Sequence, residues 1–298
     1  MRSPLNKRLF RELRGEFGKY LVIFILMTLT IGMVSGFLVA DGSMIQAYNE
    51  SFEKYNIENG HFRTEKKMNN AQIQDIEDLG IKLYENYYVE EALTNGSTMR
   101  IFKNRDEVNK VCLMKGKMPE KPGEIGIDRM YADNNDLSVG DEVESGGHTW
   151  KITGLVALSD YSALFSNNND SMFDSVKFGV SVVCPEEFDS YKADQLNYSY
   201  AWKYNTEPKN EKAEKDISED LMEDVAKEVT LEEFVPRYTN QAIIFTGDDM
   251  GGDRSMMIVL LYIIIVIMAF VFVITTSNTI RKEANVIGTL RASGYMRG

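Results

Sequence analysis

Two stretches of this 298-residue chain carry no charged residue at all, and they restrict its fold more than any other feature. One runs from Tyr20 to Ala40, the other from Ser255 to Ile280. At about 1.5 Å of rise per helical residue the shorter stretch reaches roughly 30 Å, the hydrocarbon thickness of a bilayer. A charge at the centre of a membrane helix costs about 2.5–3.5 kcal/mol, and runs this clean are hard to explain in a soluble core. Residues 20–40 and 255–280 are therefore expected to be transmembrane helices. A cleaved secretory signal is the alternative for the first. Its apolar core is longer than the about 7–15 residues usual for a signal, and Leu38 stands where a small residue is wanted before a cut after Ala40. Gly32 and Gly36 form a small-xxx-small pair that invites close helix packing, although glycine is common in membrane helices in any case.

The flanks set the orientation. Arg2, Lys7, Arg8, Arg11, Arg14 and Lys19 outnumber Glu12 and Glu16 in residues 1–19, and Arg281, Lys282, Arg291 and Arg297 outnumber Glu283 in 281–298. Both ends are expected in the cytoplasm, as a basic leader and a basic closing segment. Between the spans, residues 41–254 hold 23 basic against 42 acidic residues, a net charge of −19, and are expected outside. That charge speaks against a nucleic-acid partner and against close adsorption to anionic head groups.

The outer region is long enough for one sizeable domain or two small ones. Met44, Ile45, Tyr48, Phe52 and Tyr55 follow one helical face, so the first span is expected to continue as a stalk until Asn59 and Gly60. Beyond it a helix is expected over Asn70–Leu79, with Ile73 and Ile76 inward, and strands around Lys82–Val89 and Thr98–Lys103. Trp150, Ile152 and Val156 share one side of another strand, Val176–Val183 reads as a buried one, and Tyr198, Tyr200, Trp202 and Tyr204 alternate strictly. Ala213, Ile217, Leu221, Val225 and Val229 recur every four residues, as in an amphipathic helix. The resulting expectation is an α+β extracytoplasmic domain inserted between two transmembrane α-helices, with helical stalk extensions.

Few residues suggest chemistry. There is no G-x-x-x-x-G-K-[ST] loop, G-x-S-x-G elbow, H-E-x-x-H pair or Cys-x-x-Cys spacing, so the chain reads as no enzyme and as binding no cofactor. His61 and His148 are too few and too far apart in sequence for a metal or catalytic site. Cys112 and Cys184 would face an oxidising compartment, but whether they pair depends on a distance of about 7 Å or less that sequence does not show. The aromatic stripe from Tyr198 to Tyr204 is either packed core or the wall of an apolar groove. Asn167–Asp170 and Asp248, Asp249 and Asp253 lack calcium-loop spacing and read as polar loops, and Gly251–Gly252 reads as a flexible junction before the second span.

From Met114 to Val156 the chain reads "MKGKMPEKPGEIGIDRMYADNNDLSVGDEVESGGHTWKITGLV". A Pro122-Gly123 turn, a strand through Glu124–Ile127, a short helix, a Gly140-Asp141 turn and two strands ending in "ITGLV" resemble the extracytoplasmic core domain of ABC transporter permeases of the MacB/FtsX superfamily. The closing "IRKEANVIGTLRASGYMRG" resembles that family's cytoplasmic coupling segment. The resemblance covers both ends and the middle of the chain, and it departs at Tyr295, Met296 and Arg297.

The resemblance implies a multi-pass subunit of a bacterial cell membrane, which couples ATP hydrolysis by a separate ATPase subunit to shape changes of the outer domain, for export, lipoprotein or peptide handling, or mechanotransmission. ATP and Mg would bind the partner. A second permease subunit, the same or different, and an unidentified outer substrate or protein complete the implied partners. Glu283, Ile287, Gly288, Leu290, Arg291, Ala292 and Gly294 match the family's ATPase-contact pattern, with Ile287 and Leu290 as apolar anchors, Arg291 as a charge-assisted donor and Gly294 as a helix stop. Family members continue into at least two further membrane helices, so the chain is expected to be the amino-terminal part of a longer permease. Two other classes share the plan: a two-span sensory receptor with an extracytoplasmic ligand-binding domain, and a membrane-anchored structural protein. Gly288 and Gly294, each weakening a helix by about 1 kcal/mol, speak against the continuous signalling helix a receptor needs.

Overall fold

The computed structural model of the chain describes residues 14, 15 and 17–294. Most of the basic leader and the closing Tyr295, Met296 and Arg297 lie outside the described residues. One compact unit is Gln46–Asp248; the other holds the described residues of Met1–Ile45 and Asp249–Gly298.

The second of these units is helical. Helix α1 (Phe17–Lys54) contains the first apolar run, and the last helix of the chain, α6 (Gln241–Ala292), contains the second. Both are long and apolar enough to cross a membrane, and within their most apolar windows only 6% and 0% of residues are buried. Successive helical residues point about 100° apart, so the exposure of Ile265, Val266 and Ile267, at 52%, 54% and 52%, shows that the apolar surface goes all the way round. A helix in a soluble core would be covered, and an amphipathic surface helix would bare a polar face; these do neither.

Three expectations are corrected here. Gly251 and Gly252 form no junction, and Asp248, Asp249 and Asp253 no loop, because α6 runs through all of them without a break. Two glycines at about 1 kcal/mol each do not stop a helix of 52 residues whose hydrogen bonds continue on either side. The same helix passes through Gly288 to Ala292, so that glycine does not separate a permease tail from a signalling helix.

The other unit is built on two sheets. After the stalk end of α1, strand β1 (Gly60–Thr64) starts at the expected break. It pairs with β10 (Tyr198–Tyr204) and β11 (Leu231–Pro236), and β10 pairs with β2 (Ile81–Glu85), giving an antiparallel sheet in the order β11-β1-β10-β2. A Cβ on Gly60 would collide with the Trp202 indole and the Val235 carbonyl, so only glycine fits where β1 enters. Against this sheet lie α2 (Asn70–Glu77), opened by an Asn69–Gln72 capping box, and α5 (Glu211–Glu228). In α5 the buried stripe is narrower than its period suggests: Leu221 and Val225 are covered but Ile217 is 43% exposed, while Ser218 is buried and bonds the Tyr238 hydroxyl at 3.0 Å.

The larger sheet runs β3 (Tyr88–Ala92), β4 (Thr98–Lys103), β9 (Phe178–Val183), β6 (Glu124–Asp128), β8 (His148–Leu158), β5 (Val111–Gly116), with β7 (Glu142–Ser145) also pairing β8. The Met114–Val156 pattern appears as β6, the short helix α3 (Arg129–Asn134), β7 and β8, with β6 and β8 parallel. All six residues of β9, which lies between β4 and β6, are buried, and Trp150, Ile152 and Val156 of β8 are inaccessible. The single strand expected over Lys82–Val89 is two. The chain leaves one sheet and enters the other at Asn86, whose N–H reaches the Ser199 carbonyl and whose side chain is engaged by Arg105. The remaining helix, α4 (Pro185–Phe188), packs against β4.

Candidate functional site

The residues expected to meet an ATPase lie in the last turns of α6. Glu283 is half-buried, Gly288, Arg291 and Ala292 are exposed, and Ile287 and Leu290 have helical backbone while their side chains lie outside what is described. Gly294 follows the helix with φ +88°, a left-handed conformation that suits glycine. At 3.6 residues per turn, positions 283, 287, 290 and 291 recur along one side of the helix, and Gly294 lies beyond its end. Gly32 and Gly36 lie in α1, where a Cβ would meet nothing within 4 Å.

The weaker candidates resolve toward structure. Cys112 on β5 and the buried Cys184 are free thiols, so the bridge is not formed. The stripe on β10 is core: Tyr200, Trp202 and Tyr204 are buried, the Tyr200 ring stacks on Phe62 at 5.6 Å and Trp202 stacks on Phe234 at 4.8 Å. In the Asn167–Asp170 loop, Asp170 accepts the Asn167 N–H and the Ser166 hydroxyl, which closes the turn. His61 and His148 are on different sheets; the His148 ring stacks on Trp150 at 5.2 Å, and His61 faces a cleft.

That cleft, of about 640 Å³, is the feature sequence reasoning missed. One wall is β1, β10 and β11, through His61, Arg63, Ser199 and Glu233; the other is β3, β4 and β9, through Tyr88, Glu90, Arg100 and Phe178. The loop from Ser159 to Lys177 and the residue before α6, Asn240, close it. Its volume suits a small ligand.

Paired charges hold the walls. Arg105 donates to both Asp160 oxygens at 2.8 and 2.7 Å and to Asn86 Oδ1 at 2.8 Å, with the two ionic side chains 7% and 5% exposed. Arg100 donates to Glu90, the Tyr161 hydroxyl and the Ser166 carbonyl, and lies over the Tyr88 ring at 4.5 Å. Glu58 takes the His61 Nδ1 at 2.6 Å and the Asn109 amide at 2.6 Å, while the Glu58 N–H donates back to Asn109 Oδ1 at 2.9 Å. Burial opposes the charge on Glu58, but His61, Asn109 and Arg105 outweigh it and hold the carboxyl below its ordinary range. Burial likewise opposes protonation of His61, yet Glu58, then Glu233 and Asp160, raise the imidazole. Burial pushes the Asp160 carboxyl up, and Arg105 pulls it back. A sequence signal existed: Arg100 sits inside a strand between the inaccessible Met99 and Ile101, where an arginine needs a built partner.

No family model and no curated protein matches the chain. Two solved structures that match are the periplasmic region of MacB from Actinobacillus actinomycetemcomitans and the extracellular domain of the noncanonic ABC-type transporter YknZ from Gram-positive bacteria. The first is 12% identical, covers 57% of this chain and 85% of its own, and has a TM-score of 0.32. The second is 11% identical, covers 58% and 98%, and has a TM-score of 0.31. Likenesses of that size carry no weight for fold or activity.

Proposed function

We propose that the chain is a membrane-embedded permease subunit of an ATP-driven assembly, with residues 41–254 outside the cytoplasm and an ATPase docked on the end of α6. The observation that carries the reading is the pair of helices, apolar on every side and exposed, at the two ends of a chain whose acidic middle folds as sheets. The β6-α3-β7-β8 order between Met114 and Val156 and the pattern Glu283, Ile287, Gly288, Leu290, Arg291, Ala292, Gly294 add to it. The hydrolysed ATP and its Mg belong to the partner; this chain supplies the apolar rods, the docking residues and the outer domain.

The test is topology followed by coupling. In a chain whose Cys112 and Cys184 are replaced by serine, single cysteines introduced at Lys66 and Thr289 are labelled with an impermeant reagent in intact cells; label at the first and none at the second is expected, and the reverse would end the reading. Leu290→Ala combined with Arg291→Ala, in the full-length protein with its ATPase, is then expected to lower stimulated ATP turnover at least tenfold. The receptor reading keeps one supporting observation, the continuity of α6 through Gly288. Normal turnover in the double variant, with a signalling domain following Gly298, would favour it.

A further inference from the structure

The cleft between the two sheets presents an excess of hydrogen-bond donors. Asn168 Oδ1 accepts the Gln241 N–H at 2.8 Å, Asn240 Oδ1 accepts the Ala242 N–H at 3.1 Å, and Asn167 Oδ1 accepts the Asn169 N–H at 2.9 Å. Asn86 Oδ1 accepts from the Arg105 guanidinium. Because each partner can only donate, the orientation of all four amides is chemically forced, and among the described residues no Nδ2 of the four has a protein acceptor. All four residues line the cleft. Lys177 lines it as well, exposed, with its ammonium in no ion pair among the described residues.

Most acidic side chains lining the same cleft are engaged on at least one oxygen. Glu58 is held by His61 and Asn109, Glu90 by Arg100, Asp160 by Arg105, and Asp174 accepts the Val176 and Lys177 N–H groups. Glu233 lies 3.8 Å from the Arg63 Nε, itself a buried donor with no hydrogen bond. The Phe102 and Phe178 rings are almost wholly buried, so little apolar face is offered to a lipid chain or a stacking sugar. What remains open is a set of neutral N–H groups, the Lys177 ammonium and the Arg63 Nε–H, beside the second oxygens of Glu90 and Asp174 and the Glu233 carboxylate.

We propose that this cleft binds a small ligand rich in carbonyl or carboxylate oxygens, held by the Asn86, Asn167, Asn168 and Asn240 amides and by Lys177. Two of these amides act on both sides at once. Asn168 and Asn240 give their oxygens to the first N–H groups of α6, while Ser162 bonds the Ala242 and Ile243 carbonyls at 2.9 Å each. A ligand on their nitrogens therefore sits one side chain from the start of the helix that carries the second apolar run. The inference stands apart from the motor reading, since it needs neither ATP nor an ATPase.

The test is calorimetric titration of the full chain in lipid nanodiscs with two probes: citrate, which offers carboxylates, and acetylated, amidated tetra-alanine, which offers main-chain carbonyls. Saturable binding of at least one is expected; binding of citrate alone or of the peptide alone identifies the source of the oxygens. The variants Asn168→Asp and Asn240→Asp keep the oxygen that caps α6 and replace the free N–H by a carboxylate oxygen. Each is expected to weaken binding about tenfold or more with Tm within about 2 °C of the parent. Where either lowers Tm further, Asn167→Asp at its exposed loop position replaces it. Lys177→Gln is expected to weaken citrate about fivefold and leave the neutral peptide unchanged. Hydrogen exchange at the Gln241 and Ala242 amides is expected to slow when the probe is bound. Failure of both probes to bind at millimolar concentration, or undiminished binding in the well-folded Asn→Asp variants, would overturn the proposal.

Discussion

Isoleucine and valine do opposite things in the two units of this molecule. In β9, Val180, Val182 and Val183 are inaccessible, whereas in α6 Ile265, Val266 and Ile267 are more than half exposed. The residue types are the same; what differs is the length of the uninterrupted apolar run. The six residues of β9 are enclosed by neighbouring strands, but the 26 uncharged residues in one helix stay exposed on every side, a length that suits the hydrocarbon of a bilayer. The lesson is that burial within the chain and burial in lipid are alternative destinations for one hydrophobic effect.

Trp202→Ala removes an inaccessible side chain packed on Phe62 and Phe234 and is expected to cost about 3–5 kcal/mol in denaturant unfolding of the outer unit. Phe270→Ala, at a position 65% exposed, should change that same transition by less than about 0.5 kcal/mol. If the two losses were alike, the helical run would be packed against protein after all. Ile265→Lys comes next: about 2.5–3.5 kcal/mol against membrane insertion, read by glycosylation mapping, with the outer unit's unfolding unchanged.

The third effect depends on pH. His61, raised above its ordinary value of 6.5, contributes stability that is fully present below that value and is lost as pH rises through the folded-state value. Glu58, lowered from 4.5, contributes stability present above that value and lost as pH falls through its folded-state value. The two shifts describe one interaction, strongest between about pH 4.5 and 6.5. His61→Gln is expected to remove about 1.5–3 kcal/mol in that window and less above it, measured by urea unfolding across pH; a pH-independent loss would refute the pairing. The smallest effect is Gly252→Ala. In a continuous helix with open space at that Cβ it should gain about 0.5–1 kcal/mol and slow hydrogen exchange around residues 249–255. Faster or unchanged exchange there would restore a junction.

Much of the outer unit was legible because its signals are local. The one-sided placing of Trp150, Ile152 and Val156 and the helical spacing of Ile73 and Ile76 report their own environment over a few residues. The cleft was not legible, since Asn86, Asn168 and Asn240 are unremarkable polar residues until strand pairing brings their loops to one place. The break at Asn86 was hidden for a related reason: Leu83 and Val89 are buried alike, and only the pairing shows that they belong to different sheets.

By itself the sequence determined that two runs must find an apolar medium and that an acidic region of mixed α and β period lies between them, because hydropathy and periodicity are properties of consecutive residues. Tertiary structure alone decided that Tyr200 and Trp202 are core and that paired charges line a cleft between two sheets. Those outcomes depend on which distant segments meet, and the free energy of such meetings is not carried by any one segment.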